Sequence, residues 1–191
     1  VMAANHAMIA SSASALAIGA AGVSGAVGTE VVERSTRAEV IDGARIFAKG
    51  AASVNAVSTN SVAQISAGAA GGALAGLAGS GDVVLLKGST VALVDRATVS
   101  ADSISVVADG TNSANLIAGS IAGGGAVGAG LSFTVNVSGS TVLAKVNDTT
   151  LKADGAVVID AENRTESFAV SAAAAVGGGT GVAVGAAVTV M

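Results

Sequence analysis

The sequence predicts an all-β fold, a parallel β-solenoid built from tandem repeats of about 52 residues, and three observations carry that expectation. Landmarks of different kinds recur at one spacing. Asn60, Asn112 and Asn163 lie 52 and 51 residues apart, and Gly71, Gly123 and Gly177 lie 52 and 54 apart. The small-residue turns at 48–50, 101–103 and 153–155 are 53 and 52 apart. Between the landmarks the chain alternates as strands do, with glycine clusters as punctuation. Composition is the third observation: 27 glycines, no proline and only 2% aromatic residues against 51% hydrophobic ones. Large rings usually fill a globular core. Ala and Val carry the apolar mass here, which suits a thin and repetitive interior.

The array reads as residues 1–60, 61–112, 113–165 and an unfinished copy at 166–191, forming one domain. In each copy a Gly/Ala-rich half leads into a Thr/Val half and then into a charged ladder such as ADGAVVIDAENR at 153–164. SFTVNV sets Phe133, Val135 and Val137 against Ser132, Thr134 and Asn136. TVALVD sets Ala92 and Val94 against Val91, Leu93 and Asp95, and Ile104 shares a face with Val106. Residues 171–176 have helical propensity, but the glycines at 177, 178, 179, 181 and 185 would cost roughly 1 kcal/mol each in a helix. Strand is therefore expected there too. With a rise of about 4.8 Å per coil, two or three coils per repeat would make a rod of roughly 40–50 Å from eight to ten coils.

Charge and residue inventory exclude several functions. Nine Lys and Arg against 13 Asp and Glu give a net charge of −4 with no basic run, so nucleic acid has no electrostatic footing. Without cysteine there is neither disulfide nor thiolate metal site. His6, the only histidine, precludes a His-based metal cluster or a Ser/His/Asp triad within one chain, and is expected in solvent. GSGDVVLLKGST at 79–90 has Lys87 before Gly88, the wrong order for a phosphate-binding loop. GGGTG at 177–181 precedes an apolar strand instead of a capped helix. Asp148, Asp154, Asp160 and Glu162 lack the spacing of calcium-binding solenoids and read as solvated. Glu30 to Arg45 mixes signs as ordinary surfaces do. Asn136, Asn147 and Asn163 match the glycosylation sequon, but read more simply as turn or stacked asparagines. No catalytic, cofactor-binding or metal-binding residue is assigned, and no cofactor is expected.

The alternation of segments like AGGGAVGAGLSFTVNV, read as hairpins, with ladders like TVLAKVNDTTLKADGAVVIDAENRT resembles passenger regions of large bacterial secreted proteins. These are the filamentous-haemagglutinin-like adhesins and leukotoxin-type exoproteins, and the likeness of pattern covers essentially the whole chain. The resemblance implies a right-handed β-helix, a secreted or cell-surface location, and a non-enzymatic stalk or fibre-forming subunit supporting adhesion or surface assembly. The expected partners are neighbouring coils of the same or an identical chain, stacked end to end, with host or cell-surface molecules as a further class. The alternative is a membrane-active pore or toxin segment of glycine-zipper helices, suggested by uncharged stretches at 1–29, 61–81, 113–144 and 167–191. Missing Trp, Tyr and Lys/Arg anchors weigh against membrane contact.

Overall fold

The computed structural model describes all residues, Val1–Met191, and is all-β: 89% of the chain is strand, and no helix is present. Nine strands follow in order: β1 (Met2–Val40), β2 (Arg45–Phe47), β3 (Ala51–Asp95), β4 (Thr98–Ala101), β5 (Ser103–Gly124), β6 (Val127–Asn147), β7 (Thr150–Ala153), β8 (Val157–Gly177) and β9 (Thr180–Val190). Every pairing between them is parallel.

The register corrects the expected coil size. Met2 pairs with Asn55, Arg45 with Thr98, Ala51 with Ser103, Thr98 with Thr150 and Val127 with Thr180. One circuit of the chain therefore consumes a whole repeat, and neither two or three coils per repeat nor a rod of eight to ten coils is formed. The strands are correspondingly long, not the many short ones expected. Each full circuit has two arms and a short third side. In the third circuit these are β5 with 22 residues, β6 with 21 and β7 with 4. An arm of that length spans about 70 Å at 3.3 Å per residue.

The arms do not form hairpins, because no main-chain ladder joins the two arms of a circuit. They face each other through side chains, as the Asn136 Nδ2 bond to Ser167 Oγ at 2.6 Å and the Ser132–Ser171 hydroxyl contact at 2.7 Å illustrate. At one end of the cross-section, the tip, the facing arms are separated by glycine. Gly22, Gly76, Gly128 and Gly181 stack in one column, and Gly19, Gly72, Gly124 and Gly177 in another. A methyl group built on Gly76 would overlap the Gly123 carbonyl oxygen opposite, and one on Gly128 would overlap that of Val176. Only hydrogen fits where two backbones approach so closely.

At the other end the short third side props the arms apart, and side chains with real volume fill the space. Val54, Val94, Val99, Ile104 and Val106 lead the largest core cluster there. A second cluster around Val62, Val84, Leu86 and Leu116 lies midway, and Ala70, Ala78 and Ala122 form a third at the tip. The corner that closes the second arm turns through the left-handed region in all three circuits. Arg96 and Asp148 occupy it with φ of 49° and 46°, whereas the first circuit has one residue more there and places both Asp42 and Gly43 at positive φ, 55° and 77°. The amide of Arg96 donates to the Asn147 carbonyl at 3.0 Å.

Two landmarks pair as their spacing suggests, Asn60 with Asn112 and Gly71 with Gly123. Asn112 then pairs with Thr165, while Asn163 lies beside Gly110, so the third asparagine stands two residues away from the column. Ala92, Val94, Ile104 and Val106 are buried, but in SFTVNV the polar residues point inward. Thr134 is 0% exposed whereas Phe133 is 41% exposed.

Candidate functional site

Polar side chains divide the three core clusters into bands. Between the wide-end and middle clusters, Asn60 donates through Nδ2 to Asn112 Oδ1 at 2.8 Å, a buried rung between adjacent circuits. Parallel in-register pairing brings like residues into this contact. Between the middle and tip clusters lie Ser66, Ser80, Asp82, Ser132 and Thr134, with Gln64 and Asn136 beside them in columns of the middle cluster, all buried.

Asp82 is the one ionisable residue that is buried whole, with 0% exposure. It sits in a column with Gly28 below and Thr134 above. Gly28 provides the room, since a side chain there would run into Gln64 Nε2 and the Asp82 carboxylate. Burial pushes the Asp82 carboxyl above its ordinary value of 3.8, and the neighbouring Ser66 hydroxyl and amide pull it partly back. Neither Asp82 oxygen completes a hydrogen bond, and the Ser66, Ser80 and Thr134 hydroxyls of the same band are likewise unpaired. Sequence reading placed Asp82 only within a failed phosphate-loop pattern. The signal was its inward alternation with Val84 and Leu86, which puts the carboxyl in the buried file.

A buried acid with a displaced pKa is a frequent catalytic feature, but chemistry needs access. None of the three cavities reaches Asp82. The largest, about 670 Å³, is an open apolar groove on the outer face of the first arms, along the column Ser14, Ala67, Gly119 and Ala172. No group of three or more His, Asp or Glu side chains is placed to hold a metal ion. His6, Asp148, Asp154, Asp160 and Glu162 are each exposed. Residues 79–90 lie wholly within β3, and the glycines at 177–179 form the tip of the fourth circuit.

The three sequon asparagines fare differently. Asn136 is buried against Ser167, Asn147 donates to Asp95 Oδ1 at 2.7 Å, and exposed Asn163 accepts from Ser140 Oγ at 2.9 Å. In the mixed-charge segment Glu30 to Arg45, Arg37 pairs with Glu39 and Arg34 turns inward to Asn5 Oδ1 at 2.6 Å. Beyond that segment's own pairs, Arg96 reaches across to Asp42.

The two outer ladder edges are the most extensive unpaired feature. β1 pairs only with β3, while β8 and β9 pair only with β5 and β6, so the first and fourth circuits each present a row of main-chain groups on their outer side. The columns would continue across such an edge. In the running register the inward Ala3, Asn5, Ala17 and Gly19 of another first circuit fall over Ala161, Asn163, Ala175 and Gly177. Compared with protein-family models, with curated proteins and with solved structures, the chain matches none.

Proposed function

We propose that this chain is a non-enzymatic β-solenoid segment of a bacterial extracellular or cell-surface protein, serving as a stalk or fibre-forming subunit by end-to-end stacking of circuits. The observation that carries the reading is the register. Along the arms each residue of one circuit meets its counterpart in the next, and both outer edges keep the same column order. The register shifts by one residue only between Gly19 and Ala21 and at the corners Val40 to Arg45, Phe47 to Ala51 and Ala101 to Ile104. A stack of this kind satisfies its main-chain groups by adding circuits, each contacting only its neighbours. The extracellular setting rests on the resemblance of the repeat pattern to secreted adhesin and exoprotein passengers.

The helical-pore alternative loses its structural premise. The four uncharged stretches lie in parallel β-strands and their connecting turns, and no helix is long and apolar enough to cross a membrane. Electron microscopy of the purified chain tests the proposal. Ribbons that lengthen with concentration along the stacking direction are expected, with a β-type circular dichroism spectrum in plain buffer. Membrane-associated rings, or conversion to helix in detergent, would sink it.

A further inference from the structure

The tip half of the molecule carries no charge on its outside. Next to the tip column of Ala21, Ala75, Val127 and Thr180, five outward columns of the second arm begin with Val23, Gly25, Val27, Thr29 and Val31 in the first circuit, and continue through Ala, Gly, Val, Leu and Phe in the circuits above. Thr29 supplies the only polar side chain among them. Many of these residues stand open to solvent, with Val27 62% and Val31 63% exposed. The face is also level. Phe133 lies flat over Gly81, where any side chain would strike its ring, so the bulkiest group fills a glycine depression instead of projecting.

We infer that this outer face of the second arms packs against the same face of a second copy, forming a two-sheet dimer with its two-fold axis near Phe133. Nine residues at about 3.3 Å by four strands at about 4.8 Å offer roughly 550–600 Å² per copy, so the pair clears the ~1,000 Å² of a specific interface. No charge is desolvated, and Val and Leu side chains can settle over Gly25 and Gly79 of the second copy. A bilayer is the competing occupant for an apolar face of this depth. It is disfavoured because the chain holds no Trp or Tyr to anchor the rim of such a face at the headgroup level. The dimer does not depend on end-to-end growth, which uses the outer ladder edges and leaves the face untouched.

Sedimentation of the 191-residue chain across micromolar concentrations tests this. Val135→Asp, at the centre of the face, should weaken self-association at least tenfold while leaving the circular dichroism spectrum unchanged, whereas Lys87→Glu on the charged half should not. Val135→Cys should oxidise to a disulfide-linked dimer far faster than Ala172→Cys on the opposite outer face. Equal oxidation of the two cysteine variants, or association indifferent to Val135→Asp, overturns the inference. So does a chain that stays monomeric in buffer and floats with phosphatidylcholine vesicles.

Discussion

The wide end and the tip are made from the same alternating strands, yet they are held together by opposite means. At the wide end the third side of the circuit separates the arms, and Val94, Val106 and Ile104 fill the gap. At the tip the arms close until only hydrogen separates backbone from backbone, and the core cluster shrinks to Ala70, Ala78 and Ala122. One region is vulnerable to lost volume and the other to added volume.

Reversing the sign of a volume change breaks this comparison most directly. Gly128→Val drives a branched side chain into the Val176 main chain and should cost about 3 kcal/mol or more, read as a fall in denaturant midpoint. Val106→Ala at the wide end should cost about 2–3 kcal/mol through the cavity it leaves. Ala70→Gly at the tip should cost only about 1 kcal/mol. A tip that accepted Gly128→Val without loss would show the glycine columns to be incidental.

The polar bands offer two intermediate tests. Asn112→Ala strands the buried Asn60 amide and should cost about 1–3 kcal/mol, while the double variant with Asn60→Ala should cost less than the two singles combined. For Asp82, the folded chain keeps its proton to higher pH than the unfolded chain, whose value is the ordinary 3.8. In that window the folded state binds more protons, so stability declines as pH rises from 3.8 through the raised folded value. Asp82→Asn removes the decline and should stabilise the chain at pH 7 by about 1–3 kcal/mol, measured as denaturant midpoint against pH. The smallest effect belongs to the surface. Arg96 pairs with Asp42 in full solvent, so Arg96→Asn, which also tolerates the left-handed corner, should leave the melting temperature unchanged.

Strand content and the repeat spacing were legible because Asn60 and Asn112, or Gly71 and Gly123, are in register neighbours whose identity was kept. The size of a circuit was not. It depends on where the chain turns, and the corner residues Gly43, Arg96 and Asp148 share a backbone conformation without sharing a side chain. Facing was legible at the wide end, where Ala92, Val94, Ile104 and Val106 obey the ordinary rule. It failed at SFTVNV because burial there is decided by the opposing arm: Ser132 and Asn136 meet Ser171 and Ser167, while Phe133 finds its space over Gly81 outside. The inward facing of Asp82 was legible in its alternation with Val84 and Leu86, but its enclosure by Gly28 and Thr134 is a property of stacked circuits.

A circuit that consumes a full repeat fixes the mechanics of anything assembled from it. Each repeat advances the stack by only about 4.8 Å, so a reach of 100 Å would take about twenty repeats, or on the order of a thousand residues. The return is breadth: a strap about 70 Å across and two sheets thick. Such a strap is stiff against bending in its own plane and compliant across its thin direction, so loads applied edgewise are transmitted while loads applied flatwise are absorbed by curling.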